Sequence, residues 1–469
     1  MSQHGLGDIP SVSARALKAG LDMDMATNGY ISHLKKLLQE GKVTQKDIDL
    51  ACKRVLEAKY KLGLFDDPYH YMNESRIKTD VLTPENLDAA REITRKSIVL
   101  LKNDNQLLPL KKSGTIAVVG PLADSKVDML GTWAFMGDMT KVVTAVEGIR
   151  NAIGTNGRVI FAKGSPFTDD PYLLKNSAGF GFGPRAQADT SSKETLLKLA
   201  IDSASKADVI VAVLGEQATW SGEAASRADI SLPDIQKNLL KSLLATGKPV
   251  VLVLMSGRPL TIPWENANVP VIIAAWHGGT QAGNAVADVL FGDYNPSGKL
   301  TSTFPQSVGQ IPLYYNHLNT GRPMNPKDKF TSKYLDITND PVYPFGFGLS
   351  YSKFDYSDIT VNKTQLKGSD ILTASVTITN SGKFAGEETV QLYINDPVAS
   401  ISRPLKELKG FKKVFLQPGE KKEVNFNITP EDLKFYNSDL KYDWEPGDFN
   451  IFIGTNSVDL KQIKINWSK

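Results

Sequence analysis

Residues 208–233, D-V-I-V-A-V-L-G-E-Q-A-T-W-S-G-E-A-A-S-R-A-D-I-S-L-P, hold the densest run of side chains that could do chemistry. Two carboxylates, Glu216 and Glu223, stand close together with Trp220 and Arg227 beside them. A carboxylic acid delivered into a cleft and partly desolvated has its pKa raised toward the range useful for proton donation. An ordinary solvated loop carries the same letters. Exposed glutamate is common in loops, so residue types alone favour that plainer reading.

The element that must position these residues is the run 208–214. It is almost unbroken in apolar, largely β-branched residues, and it ends at Gly215. Such a run reads as a parallel strand buried on both faces. Ligands of open α/β sheets sit beyond the carboxyl ends of their strands, where both glutamates fall.

The chain has 469 residues, too many for one core, so two or three domains are expected. Apolar residues make up 41% and charged residues 22%, an ordinary globular balance. A net charge of +3 without a long basic run gives no reason to expect a nucleic-acid partner. No apolar stretch approaches the length of a membrane span. The first residues, M-S-Q-H-G-L-G-D, have neither the charged nor the apolar region of a signal peptide. Cys52 is the only cysteine, so no internal disulfide can form, and its helical surroundings (A-C-K-R-V-L-E-A-K-Y) suggest a packed thiol. His4, His33, His70, His277 and His317 are scattered without metal-ligand spacing, and no metal or other cofactor is expected.

In chain order, residues 11–18 read as a helix stopped by Gly20, and L-D-M-D-M (21–25) alternates like a short strand. Residues 30–39 and 44–62 follow as amphipathic helices, the second capped by Thr44 with Asp47 three residues on. These elements are too few to enclose a core of their own and look like the last units of an alternating α/β domain. After a turn-rich connector, a helix is expected over 83–99. Strands at 115–120, 158–162, 208–214, 249–254 and 270–275 then alternate with helices at 144–152, 193–205, 232–244 and 279–291. That order implies a largely parallel sheet covered on both faces. Residues 165–189, with G-F-G-F-G-P inside them, read as a long mobile insertion whose glycines do not fit a dinucleotide fingerprint. A Pro/Gly/Tyr-rich stretch, 293–348, reads as a linker wrapping the surface. From about 357 short alternating strands separated by turn pairs predict a β-sandwich of about seven strands.

Several longer motifs go beyond spacing. They are A-G-L-D-M-D-M (19–25), K-L-G-L-F-D-D-P-Y (61–69), S-I-V-L-L-K-N (97–103), I-A-V-V-G-P-L-A-D (116–124), V-A-D-V-L-F-G-D-Y-N-P-S-G-K-L (286–300), Y-P-F-G-F-G-L-S-Y (343–351) and S-R-P-L-K-E-L-K-G-F (402–411). In this order they resemble the carboxyl-terminal two-thirds of glycoside hydrolase family 3 β-glucosidases of the periplasmic bacterial type. The resemblance implies an α/β plus all-β fold. Residues 1–62 would be the remnant of a β/α barrel, 63–82 a linker and 83–305 an α/β sandwich domain carrying the acid/base. Residues 306–356 would be a wrapping linker and 357–469 a fibronectin type III-like domain. It also implies retaining hydrolysis of terminal β-D-glucosyl residues, in which one carboxylate attacks the anomeric carbon and a second protonates the leaving oxygen. E-A-A-S-R followed by I-S-L-P matches the family's acid/base loop, so the resemblance gives that role to Glu223. Glu216 matches no catalytic position and is expected to help hold the loop, with Arg227 as an ion-pair partner. Trp133, in M-L-G-T-W-A-F, matches an aromatic on the leaving-group side of the cleft, and an aromatic face suits the C–H face of a sugar. For Trp276 and His277, which follow a strand end, cleft and core roles stay equally open.

The family's nucleophilic aspartate belongs to an S-D-W- or S-D-H-like motif of the barrel, and no such motif occurs here. Ser2-Gln3-His4-Gly5 resembles it only superficially, because Gln3 cannot attack. Asp8, Asp22 and Asp24 stand at positions the family does not use for attack. The expectation is a chain that begins just after the nucleophile: a gene fragment, a start assigned to an internal Met, or half of a split enzyme. Such a chain would be inactive alone and would expose apolar surface on residues 1–62. Expected partners are β-glucosides or cello-oligosaccharides, with a second copy or the missing barrel half, and no nucleic acid or membrane. Family resemblance places the protein in the periplasm or outside the cell. A non-catalytic carbohydrate-binding remnant, or a β-xylosidase specificity, stands as the alternative.

Overall fold

The computed structural model describes residues 5–134, 136–176 and 191–469. Ser2, Gln3 and His4 of the stretch suggesting S-D-H-G, and the glycine-rich part of the expected insertion, lie outside the described residues. The chain divides into two compact units, Met1–Asn86 and Leu87–Lys469.

The first unit contains helices α1 (Ile9–Lys18), α2 (Gly29–Gln39), α3 (Gln45–Lys61) and the single turn α4 (Arg76–Thr79). Asp8 caps α1 by accepting the Ser11 N–H at 2.9 Å, and Gly20, at φ +95°, ends it. Thr44 and Asp47 form the expected capping box at the start of α3. The core is small: Ala14, Leu17, Leu37, Val43 and Ala51. The strand expected at 21–25 does not form. A strand needs a neighbour to satisfy its backbone, and the described residues of this unit include no other strand. Side chains tether the stretch instead: the Tyr30 hydroxyl donates to the Leu21 carbonyl at 2.7 Å, and Asp24 accepts the Tyr30 N–H at 3.1 Å. The expectation of a packed thiol also fails, because Cys52 lies on the open face of α3 and is exposed.

Helix α5 (Pro84–Ser97) leads into the second unit. There β1 (Val99–Asn103), β2 (Gly114–Val119), β3 (Gly157–Ala162), β4 (Val209–Gly215), β5 (Val250–Met255) and β6 (Val271–Ala274) form one sheet in the order β1-β6-β5-β4-β2-β3. All neighbours pair in parallel except β1, an antiparallel edge strand on β6. The helix expected over 83–99 therefore stops at Ser97, and the apolar run V-L-L beyond it is strand. The covering helices are α6 (Lys126–Leu130), α7 (Ala145–Ile153), α8 (Pro171–Asn176), α9 (Lys193–Ser205), α10 (Asp234–Leu244), α11 (Pro263–Asn268) and α12 (Ala282–Phe291). One face of the sheet packs on α7 and α12, the other on α9 and α10.

Past Phe304 and Tyr343, both buried in this core, the chain enters a sandwich of a four-stranded and a five-stranded sheet. It has more strands than the seven expected. Short strands at Phe354–Tyr356, Thr360–Val361 and Gln365–Lys367 carry too few residues to show alternation in sequence, and the last strand, Leu460–Ser468, brings the fully buried Trp467.

Candidate active site

The site is built where β4 and β5 end. Gly215 has φ +139°, and a Cβ there would fall 1.7 Å from the Met255 carbonyl oxygen, so only glycine lets the two strand ends stay paired this far. The Glu216 N–H donates to Met255 O at 2.8 Å. From α10, the Gln236 amide accepts the Gly215 N–H at 2.8 Å and donates back to its carbonyl at 3.0 Å. Glu216 is thereby fixed with its side chain fully buried.

The buried Glu216 carboxylate is paired on both oxygens. Arg227 reaches Oε1 at 2.6 Å, and Arg258, from the turn after β5, reaches Oε2 at 3.1 Å. A carboxylate occupied in this way is an anchor. Arg227 also lies over the Trp220 ring, 5.4 Å from its centroid, and donates to Ser231 O at 3.3 Å. Arg258 donates to the carbonyls of Trp220 and Ala225, the latter at 2.8 Å.

A second wall comes from the segment after β2. Asp128, in α6, is buried and accepts the Ala218 N–H at 2.8 Å, with Ser125 donating to its other oxygen. Burial pushes its pKa up, against the pull of those two hydrogen bonds. The Thr132 hydroxyl lies against the carbonyls of Ala218 and Ser221, the latter at 2.7 Å. His277, after β6, bonds through Nδ1 to the Asp128 carbonyl at 2.9 Å. A Cβ on Gly131 would lie 3.0 Å from the His277 Cβ, so the histidine backs the site from below. Trp276 turns the other way: its indole N–H donates to Ser97 O at 3.0 Å, and its ring meets Phe304 edge to face.

Glu223 stands exposed at the tip of the segment thus held, between Gly222 at φ +98° and Ala224 at φ +56°. Trp133 is 60% exposed. A Cβ on Gly222 would come within 3.4 Å of the Trp133 ring carbon Cζ2 and 2.8 Å of a Thr132 methyl. The fold thus brings the tryptophan against the backbone beside Glu223, although the two are far apart in sequence. Arg258, Asp128 and Thr132 were missed in sequence. Arg258 alone had a signal, since it follows the end of a buried strand in the manner of Glu216.

Residues 98–351 match the glycosyl hydrolase family 3 C-terminal domain, and residues 388–457 match the fibronectin type III-like domain. The chain belongs to glycosyl hydrolase family 3. Over 98% of its length it is 48% identical to the periplasmic beta-glucosidase of Salmonella typhimurium, of which it covers 61%. It is 37% identical to a beta-xylosidase of Formosa agariphila, over 96% of this chain and 60% of that one. The beta-glucosidase of Listeria innocua in complex with isofagomine superposes with a TM-score of 0.90 at 39% identity, over all of this chain and 62% of that one. The chain thus spans about three-fifths of the length of these relatives. Among the described residues no helix is long and apolar enough to cross a membrane.

Proposed function

We propose that this chain supplies the proton-handling half of a retaining β-glucosidase, acting on terminal non-reducing β-D-glucosyl residues of β-glucosides or cello-oligosaccharides. Glu223 protonates the leaving oxygen and then activates water, and Trp133 offers its ring to the leaving-group sugar. One observation carries the reading. The loop around an exposed carboxylate is locked at its base by a buried ion-pair cluster, and an exposed tryptophan lies against the loop's tip. A free side chain on a fixed backbone is what proton transfer to a bound glycosidic oxygen needs. The names of the Salmonella and Listeria relatives support glucosides as substrates and, for the former, export to the periplasm. The name of the Formosa relative supports xylosides as a second specificity.

The attacking carboxylate lies outside these 469 residues in this reading, because no S-D-W or S-D-H motif occurs in them. Residues 1–62 are then a barrel-derived piece, 83–305 the acid/base domain and 357–469 the fibronectin-like domain, joined by 63–82 and 306–356. A single acid/base cannot run a double displacement, so the chain alone is expected to leave p-nitrophenyl β-glucoside unhydrolysed. Mixing it with a separately produced family 3 barrel should restore turnover with retention at the anomeric carbon, followed by proton NMR. Turnover by the chain alone at about 1 s⁻¹ or faster, the ordinary range for enzymes, would overturn the division of labour.

A further inference from the structure

We propose that Arg258 is a positioning residue: one guanidinium clamps both ends of the segment that carries Glu223 and so sets where the carboxyl is presented. The catalytic meaning of this rests on the acid/base reading of Glu223, whereas the clamp itself is a matter of loop order. The two carbonyls Arg258 holds, those of Trp220 and Ala225, flank Glu223 on either side. Its Nε meanwhile engages Glu216, which the paired ends of β4 and β5 hold immobile. The segment is thus tied at both ends to one buried point of the sheet.

A guanidinium suits this task and an ammonium does not. The three acceptors take N–H groups on two separate nitrogens, Nε for Glu216 and Nη2 for both carbonyls, a spacing that the rigid planar fork holds and a single ammonium nitrogen does not. The side chain is only 20% exposed, so water does not readily replace these bonds. The backbone between the two ties needs such restraint. Ala224 occupies a left-handed conformation, which is disfavoured for a residue with a Cβ and persists where the surroundings fix it. Arg227 has a different part. It neutralises Glu216 and covers Trp220, but its backbone tie among the described residues, to Ser231, lies beyond the segment. The two arginines therefore separate charge balance from clamping.

The test is limited proteolysis of the whole chain by a glutamate-specific protease, which can cut the segment after the exposed Glu223. Arg258→Lys keeps the charge opposite Glu216 and should raise the rate of that cut at least tenfold, while cuts elsewhere keep their rates. Arg227→Gln should leave the rate as it is in the parent. Arg258→Ala should raise it as well, and tens of millimolar guanidinium chloride, but not sodium chloride, should restore the slow cut. Because the lysine variant retains the ion pair, it answers the question even if the alanine variant does not fold. An unchanged rate of that cut in Arg258→Lys would overturn the clamp. In protein complemented with a barrel, Arg258→Lys should lower kcat for an alkyl glucoside with KM little changed. A loosened loop with unaltered kcat would overturn the positioning role and leave the reading of Glu223 standing. An unaltered kcat in Glu223→Gln would instead remove that reading and leave the clamp intact.

Discussion

Glu216 and Glu223 belong to one loop and have the same side chain, yet the fold gives them opposite fates. Glu216 is buried and bonded on both oxygens, so it serves as an anchor for the loop; Glu223 is exposed and able to meet a ligand. Residue types could not separate them, because the partner that distinguishes them, Arg258, comes from the next strand end. The roles proposed for Glu223 and Trp133 rest on the family motifs, and the adjacency of the two through Gly222 emerges only in three dimensions. Burial acts in the same way far from the site. Asp396, at the end of the strand Gly386–Asn395, has its pKa pushed up to about 6, first by burial and then by repulsion from Glu445 and Glu407, against the pull of the Val398 N–H and Arg403. The folded state thus holds this proton more tightly than the unfolded one. The stabilisation is complete below the ordinary carboxylate value and is lost as pH rises through about 6. Asp396→Asn should raise stability at neutral pH by about 1–3 kcal/mol and leave it unchanged in acid, as measured by urea unfolding across the pH range.

At the scale of elements, buried parallel strands announce themselves as unbroken apolar runs, which is why β2 to β6 were readable. The antiparallel β1 was not, since its short apolar stretch directly continues a helix. Nor was the loss of the 21–25 strand, because alternation in sequence cannot supply a neighbour. Helices α7 and α12 show what spacing leaves out. They meet backbone to backbone: a Cβ on Gly283 would fall 1.9 Å from the Thr144 carbonyl oxygen, and one on Gly148 would fall 2.1 Å from that of Gly283. Neither contact can relax by rotating a side chain. Gly283→Ala should therefore cost about 3 kcal/mol or more, more than an exposed Gly→Ala change, as a shift in the denaturant midpoint at unchanged slope. A loss below about 1 kcal/mol would show that the helices can separate cheaply.

At the scale of the molecule, the unit Met1–Asn86 has a core of a few side chains beside much uncovered apolar surface. Met25 is 85% exposed, Ile31 87%, Tyr60 71% and Phe65 60%. Such surface favours association. The chain should bind anilinonaphthalene sulfonate while folded and grow in mass with concentration by light scattering. Cys52, on the open face of α3, should react with Ellman's reagent as fast as a free thiol. A monodisperse protein with a protected thiol would contradict this. The uncovered face was legible from the first residues of the sequence, whose elements are too few to close a core, whereas the exposure of Cys52 was not.

The central claim is that Glu223 handles the proton. The most direct measurement is hydrolysis by Glu223→Gln protein, complemented with a barrel, across glucosides of graded leaving group. The account predicts a loss of about 10²–10⁴-fold for alkyl glucosides, little loss in the first step for a dinitrophenyl glucoside that departs without a proton, and recovery with azide as β-glucosyl azide. Equal turnover of alkyl glucosides by the parent and the variant would contradict it.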